Sequence, residues 1–285
     1  MLTKTMLETD EEIRRTLEDL GWREIATDQS IDKGTERNSY SKTTEVAFRP
    51  TLRTAQACLT VFDDGQATGE IIRLRNNQIV IGRIEGELRF PNDDQISGRH
   101  VAISLQSIGR VKRWVITDLQ SRNGLFVRVG KSQLADNDEF LIGSGRYRFH
   151  SSAMLHSNPS PIIDGSSRTE VPATRAYGGP PVASADVLCE ILASGVGARY
   201  LLHENHYWIG RDKDCVIRRA GDYFTKGQHA LLSRSVRGNW VVQNNRSLNG
   251  VWLRMPHAHV ELGSSCEFQL GEQRFRFRFG NAPAD

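Results

Sequence analysis

The chain has 285 residues, of which 25% are charged and 38% are apolar, and its net charge is +3. This composition excludes a wholly disordered chain, and the length predicts two domains of ordinary size. No apolar run approaches the roughly 18 residues of a membrane helix, the first residues do not form a secretory signal, and the charge is too small to indicate a nucleic-acid binder by itself.

The charges are unevenly distributed along the chain. Residues 1–50 carry 8 basic and 11 acidic side chains, residues 51–150 carry 14 and 11, and residues 186–280 carry 13 and 9. An acidic N-terminal arm therefore precedes two mildly basic blocks. This division suits an arm that folds back on its own chain or blocks that prefer anionic partners, and it equally suits an ordinary solvated surface.

The first predicted element is a short helix in the acidic arm, residues 1–50. Thr9–Glu12 matches a capping box, apolar residues recur at helical spacing from Ile13 to Leu20, and Gly21 ends the pattern. The apolar stripe is narrow, so we expect this helix to need a docking surface for its stability.

From residue 56 onward the apolar residues alternate with polar ones, which is typical of half-buried strands. Short apolar segments follow one another with turn residues between them and with no helical period, and this pattern predicts an antiparallel β-sandwich. The predicted strands of the first half are 57–62, 71–74, 79–81, 101–105, 114–116, 125–127, 140–142 and 147–149.

The same motifs recur in the same order in the second half of the chain, displaced by 126–129 residues. The matches are Ile81-Gly82-Arg83 with Ile209-Gly210-Arg211, His100 with His229, Trp114-Val115 with Trp240-Val241, Asn123-Gly124 with Asn249-Gly250, and Gly143 with Gly271. Such ordered matches predict a tandem duplication, with one domain at 51–150 and a second at 186–280. Residues 151–185 hold five of the nine prolines and predict a Pro/Gly/Ser-rich flexible linker.

One series of motifs in the first copy resembles the forkhead-associated (FHA) domain. It consists of Gly82-Arg83, Ser97-Gly98-Arg99-His100, Asp118-Leu119 and Asn123-Gly124. The resemblance covers about 100 residues of each copy. It implies an all-β fold of two tandem FHA-type antiparallel β-sandwiches, in a family that recognises phosphothreonine peptides. It also implies binding without chemistry, so we expect no enzymatic activity, cofactor or metal.

The resemblance assigns roles to the motif residues of the first copy. Arg83 would give a guanidinium group and Ser97 a hydroxyl group to the phosphate, and Asn123 would hold the peptide main chain. The remaining residues of the predicted site are Gly98, Arg99 and Arg122 beside the peptide, with Gly82, His100 and Gly124 as structural supports. Arg99 and Arg122 are equally open to interpretation as solvated loop arginines.

The second copy departs from the family pattern at one position. It keeps Gly210-Arg211, His229 and Asn249-Gly250, but Lys226 stands where the family has serine. A lysine can pair with phosphate as a point charge, but it does not reproduce a compact hydroxyl contact. We therefore expect weak or no phosphothreonine binding by this copy, and a docking or dimerising role instead.

Three threonines outside the two sandwiches are candidate phosphorylation sites. Thr43 and Thr44 lie just before Glu45 in the arm, and Thr169 begins a Thr-Glu-Val sequence in the linker that echoes the one at Thr44. We expect a Ser/Thr kinase to phosphorylate the arm, and the tethered phosphothreonine to bind the first site. A chance match of three residues is the alternative explanation.

These features predict a cytoplasmic adaptor that acts in Ser/Thr kinase signalling or in regulated complex assembly. Its expected partners are phosphothreonine-containing proteins, a kinase with its substrates, and its own arm, without a membrane. One alternative is a phosphate-independent scaffold or homodimer that uses the sandwich faces.

A second alternative is nucleic-acid binding through strand 274–279, where arginines and phenylalanines alternate. The same alternation is expected of a strand with one apolar face and one basic face. The pairs His203/His206 and His257/His259 could suggest a metal, but no cysteine or carboxylate accompanies them at ligand spacing.

Overall fold

The computed structural model describes residues 6–7, 12, 15, 56–62, 68–109, 111–152 and 185–280. This part of the chain is nearly all β-structure, which confirms the predicted fold class. Of the helix predicted in the arm, Glu12 and Arg15 are described, and both have a helical conformation. The candidate phosphorylation sites Thr43, Thr44 and Thr169 lie outside the described residues.

Twenty strands follow one another along the described residues. The first ten are β1 (Met6–Leu7), β2 (Ala57–Phe62), β3 (Glu70–Leu74), β4 (Gln78–Gly82), β5 (Leu88–Arg89), β6 (Val101–Ile108), β7 (Val111–Asp118), β8 (Leu125–Gln133), β9 (Glu139–Ile142) and β10 (Gly145–His150). The second ten are β11 (Asp186–Leu192), β12 (Gly195–Leu202), β13 (His206–Gly210), β14 (Ile217–Arg218), β15 (Ala230–Arg234), β16 (Trp240–Asn244), β17 (Val251–Met255), β18 (His257–Val260), β19 (Ser264–Leu270) and β20 (Gln273–Phe279). In these residues no helix is long and apolar enough to cross a bilayer.

Alternating burial produces the strands that the sequence predicts. In β20 the side chains of Phe275, Phe277 and Phe279 are buried, whereas the arginines between them are partly exposed on the other face. This is the arrangement of a strand that packs one face on a core. The arginine–phenylalanine alternation is therefore accounted for by sandwich packing.

The strands enclose two hydrophobic cores, and each core is filled by both repeats. The first core takes Leu59 and Ile103 from the first repeat together with Phe268 and Phe277 from the second. The second core takes Phe140 and Phe149 from the first repeat together with strands β11–β17. The repeats therefore exchange their final strands: residues 257–279 complete the first sandwich, and residues 129–150 complete the second.

Strand pairing shows this exchange directly. β2 pairs with β20, β10 pairs with β11, β18 pairs with β7, and β9 pairs with β17, and each of these four pairs joins the two repeats. The predicted ranges 51–150 and 186–280 follow the repeats in sequence, whereas the sandwiches cross these ranges. The physical reason is that equivalent strands of two repeats can occupy each other's places, as in domain swapping.

The two repeats cross each other where β8 of the first pairs with β17 of the second in antiparallel register. Leu125 lies opposite Met255, and Val129 lies opposite Val251. This pair of strands therefore runs from one sandwich to the other. β8 is one uninterrupted strand of nine residues, whereas Pro256 separates β17 from β18 on the opposite side. An extended hinge in place of a tight turn is what lets each final segment leave its own repeat.

Candidate functional site

Three loops meet at one end of the first sandwich and bring the predicted site residues together. Arg83 directly follows β4, and its main-chain N–H donates to the carbonyl oxygen of Ser97 over 2.9 Å. Gly82 lies so close to the next loop that an added Cβ would be 2.2 Å from the Gly98 oxygen. Only glycine fits there, so Gly82 sets the spacing between the Arg83 and Ser97 loops.

His100 connects two of these loops through hydrogen bonds in the interior of the sandwich. Its Nδ1 accepts a hydrogen bond from the Ser97 N–H over 3.1 Å, and its Nε2 lies 3.1 Å from the Gly124 carbonyl oxygen. The ring is fully buried, and this burial lowers the pKa of His100, so the neutral form with its proton on Nε2 fits both contacts. His100 is thus placed as a support that does not reach the surface.

The upper contacts of the loops leave particular polar atoms for a ligand. The Ser97 Oγ accepts a hydrogen bond from the Arg122 N–H over 3.0 Å. The Asn123 amide nitrogen donates to the main-chain oxygen of Gln95 over 2.8 Å and to its side-chain oxygen over 2.9 Å. Among the described residues, these contacts use neither the hydroxyl hydrogen of Ser97 nor the side-chain oxygen of Asn123.

The Arg83 guanidinium group is the cationic centre of the site. Its Nη1 donates to the Asp94 carboxylate over 2.8 Å, and its buried Nε has no hydrogen-bond partner in the described part of the chain. The Arg83 side chain is 35% exposed and that of Asp94 is 88% exposed. The guanidinium group is therefore held in place while it still offers donors to an anion.

Asp94 competes with any anion for Arg83, and this competition can be tested. We expect Asp94→Asn to strengthen phosphothreonine-peptide binding by up to about fivefold, because an exposed ion pair contributes at most about 1 kcal/mol. Isothermal titration calorimetry of the wild-type and Asp94→Asn chains with one phosphopeptide measures the change. Weaker binding by the variant would instead show that Asp94 holds Arg83 in its binding position.

The second repeat also supports the first site, which sequence reasoning missed. Gly124 has a φ of +90°, and an added Cβ would lie 2.2 Å from Nε of Arg254, which belongs to β17. Reciprocally, Gly250 in the second repeat packs against Arg128 of β8, since an added Cβ would lie 2.6 Å from its Nε. Each Asn-Gly loop thus rests on an arginine of the other repeat. Both arginines lie five residues after their asparagine, but only the exchanged strands bring each one to the other loop.

Arg99 and Arg122 border the site with exposed side chains. Arg99 Nε lies 4.0 Å from a carboxylate oxygen of Glu85, and both side chains are more than half exposed, so this pair contributes little to stability. Both arginines thus add exposed positive charge to the rim of the loop cluster. Gly98 serves through its carbonyl oxygen, which accepts hydrogen bonds from the main chain of the Arg83 loop.

The second repeat builds the same frame around His229. Its Nδ1 accepts from the Lys226 N–H over 3.1 Å, and its Nε2 lies 2.8 Å from the Gly250 oxygen. Burial lowers the pKa of His229 to about 4. Gly210 again approaches the neighbouring loop closely, since an added Cβ would be 1.9 Å from the Gly227 oxygen.

The polar atoms that the first site leaves open are engaged in the second. The Lys226 ammonium group donates to the main-chain oxygens of Asn245 and Arg246 over 3.1 and 3.3 Å. The Asn249 side-chain oxygen accepts from Arg274 over 3.3 Å. Arg211 is exposed at the tip, but the hydroxyl donor and the open amide oxygen of the first site have no equivalents here.

The surface of the second loop cluster is also apolar where the first is polar. Tyr223 is 90% exposed, Phe224 62% and Leu248 39%. By the repeat offsets of 129, 129 and 126 residues, these three positions correspond to Asp94, Gln95 and Arg122 of the first repeat. An exposed apolar tip of this kind typically marks a protein-interaction surface.

Two β-sandwiches that each gather three loops at one end define a class of binding modules. Residues 73–143 and 207–271 match the model of the FHA domain family. The chain belongs to this family and carries two copies of its domain.

Several solved FHA domains are similar to parts of the chain. The FHA domain of CT664 protein from Chlamydia trachomatis is 22% identical and covers 32% of this chain and 92% of its own, with a TM-score of 0.22. A domain studied for phosphothreonine-dependent FHA interactions is 30% identical over 32% of this chain and 91% of its own, with a TM-score of 0.20. The yeast Dun1 FHA domain, in complex with a doubly phosphorylated peptide derived from Rad53, is 21% identical over 50% and 100%, with a TM-score of 0.20. No curated protein matches the chain.

Proposed function

We propose that this protein is a phosphothreonine-dependent adaptor and that the loops of its first repeat bind the phosphorylated residue of a partner. The observation that carries the proposal is the convergence of the Arg83 guanidinium group, the Ser97 hydroxyl group and the Asn123 amide oxygen at one loop end. Membership of the FHA family supports it, because family members bind phosphothreonine peptides.

The chemistry of each group fits one part of such a ligand. A guanidinium group binds phosphate through charge-assisted hydrogen bonds, a hydroxyl group adds a neutral donor, and an amide oxygen accepts a main-chain N–H of the peptide. None of these contacts makes or breaks a covalent bond. The proposed function is therefore recognition, and the affinity depends on the two negative charges that phosphorylation adds.

Replacement of Arg83 tests the proposal. We expect Arg83→Ala to weaken binding of a phosphothreonine peptide by more than about hundredfold, because two charge-assisted hydrogen bonds at roughly 1.5–3 kcal/mol each are lost. Calorimetry of the full chain measures this, with peptides from an oriented phosphothreonine library and one spanning residues 39–50 phosphorylated at Thr43 or Thr44. The wild-type chain is expected to bind one peptide molecule per chain.

The matched control is Arg211→Ala, the same change at the equivalent position of the second repeat. We expect this variant to bind the peptide with unchanged affinity and stoichiometry. Equal affinity for phosphorylated and unphosphorylated peptides, or unchanged binding by Arg83→Ala, would contradict the proposed function. Two peptides per chain would contradict the assignment of the first repeat as the single phosphate-binding module.

For the second repeat we propose a docking role that does not depend on phosphate. The exposed side chains of Tyr223, Phe224 and Leu248 support this proposal, since they replace polar residues of the first site. The contacts of Lys226 and Asn249 point the same way, because they occupy the groups that a phosphopeptide would need. If the second repeat does not bind phosphate, the chain is expected to bind one phosphopeptide molecule.

We further propose that the adaptor acts in Ser/Thr kinase signalling and that its own arm is one of its ligands. The support is the Thr43-Thr44-Glu45 sequence in the acidic arm, upstream of a site whose central residue is Arg83. Such a tethered phosphothreonine has an effective concentration of roughly millimolar, so it would occupy a site of ordinary affinity. Binding of the phosphorylated arm peptide in the titration above tests whether the arm is a ligand of the first site.

A further inference from the structure

An open groove of about 400 Å³ lies between the first site and the second sandwich. On one side it is lined by the loop residues Arg122 and Asn123, together with Gln95. On the other side it is lined by Ile191 and Leu192, which end β11 in the second repeat. Asn123 therefore borders both the site and the groove, and the two form one continuous surface.

The floor of the groove is cationic. Arg146 lies opposite Ile191 in the pairing of β10 with β11, and its guanidinium group lies 5.4 Å from the centre of the Phe126 ring. Its partner Glu139 is shared with Arg148 and Arg254, so three guanidinium groups face a single carboxylate. This surplus of positive charge favours an anionic side chain in the groove.

The far wall of the groove is apolar. Leu192 is 46% exposed at the turn between β11 and β12, and Ile191 beside it is partly exposed. The exposed rim on the opposite side is Arg122. An aliphatic side chain in the groove would cover the apolar wall while a neighbouring carboxylate approached the arginines.

We propose that this groove is the specificity half of the first site and that it receives the phosphopeptide segment that extends past Asn123. The preferred segment combines an aliphatic residue with an acidic one. This inference rests on the proposed function, because the phosphothreonine anchors the segment. It assigns the choice of partner to Leu192 and its neighbours, which belong to the second repeat.

The second repeat offers a contrast that supports this assignment. There Arg274, which is equivalent to Arg146 at an offset of 128 residues, donates to the side-chain oxygen of Asn249. The asparagine and the floor arginine are thus joined to each other in the second repeat. In the first repeat Arg146 is bound to Glu139, and the space beside Asn123 stays open.

An oriented phosphothreonine library, selected on the full chain, tests the inference. We expect the wild-type chain to enrich aliphatic and acidic residues on one side of the phosphothreonine. Leu192→Asp should reduce that enrichment and weaken the best selected peptide by about tenfold, because it removes apolar contact and adds a like charge. Val236→Asp is the matched control, since Val236 is fully exposed in the turn between β15 and β16.

The outcomes separate this inference from the proposed function. If Leu192→Asp keeps the wild-type preference, or if the wild-type chain shows no preference beyond the phosphothreonine, the groove is not part of the site. If Val236→Asp changes the preference to the same extent, the effect is one of overall charge and the inference is overturned. If no phosphothreonine peptide binds the wild-type chain at all, the proposed function itself fails.

Discussion

Oxidation of a Lys131→Cys/Gln243→Cys chain is expected to join the two introduced cysteines almost completely, within a single chain. Lys131 and Gln243 lie directly opposite each other in the pairing of β8 with β16, and both are exposed. Opposite residues of antiparallel strands have Cα atoms about 4.5–5.5 Å apart, which suits a disulfide bond. Because β8 and β16 belong to different repeats, this bond forms only if the repeats exchange their final strands.

The matched control is a Lys131→Cys/Thr117→Cys chain, which we expect not to form the corresponding bond. His257, which is equivalent to Lys131 at an offset of 126 residues, pairs with Thr117 of β7. Without exchange, Lys131 would take this place beside Thr117. Peptide mapping of the oxidised chains identifies the bond. A bond in the control alone would refute the exchange, and a bond between two chains would show that it occurs between molecules.

The exchange makes the two loop ends structurally dependent on each other. The Asn123-Gly124 loop rests on Arg254, and the Asn249-Gly250 loop rests on Arg128, so each loop depends on a strand of the other repeat. The two supporting strands are themselves paired at the crossing. A fragment of residues 51–150 would lack Arg254 under its site, and for this reason the binding experiments use the full chain.

Local pattern was sufficient to predict most strands of the first repeat, although it missed the two-residue strands β1 and β5. The alternation in 57–62 corresponds to β2 residue for residue, because burial on one face of a strand depends on its own spacing. The fastening role of His100 was expected from the resemblance, and the structure places its two ring nitrogens against Ser97 and Gly124. These features depend on short segments whose residue types have few structural alternatives.

The sequence pattern does not indicate which strands pair with each other. β9 and β19 are equivalent, so alternation in Phe140-Leu141-Ile142 does not indicate which repeat they join. The support from Arg254 and the groove wall at Leu192 follow from the exchange and were missed with it. The pairing of Arg83 with Asp94 was missed for a different reason, because loop geometry brings together residues eleven positions apart.

Glu267→Gln is expected to lower the free energy of unfolding by about 3–5 kcal/mol, because it removes one partner of a buried ion pair. The Glu267 carboxylate accepts from Arg128 over 3.0 Å and from Arg276 over 2.7 Å, and thus joins β19, β8 and β20. The side chains of Arg128 and Glu267 are only 7% and 10% exposed, so the change removes a hydrogen-bonded carboxylate from a buried guanidinium group. Urea denaturation measured by circular dichroism gives the difference.

Glu272→Gln is the control for this change, since Glu272 is exposed in the turn between β19 and β20 and its replacement is expected to cost less than about 0.5 kcal/mol. An equally small effect of Glu267→Gln would show that the crossing does not need its charge. A large effect confined to Glu267 would mean that one carboxylate from the second repeat stabilises the strand that carries Arg128. Arg128 supports the loop of Gly250, so the same variant is expected to loosen the second loop cluster as the sandwich weakens.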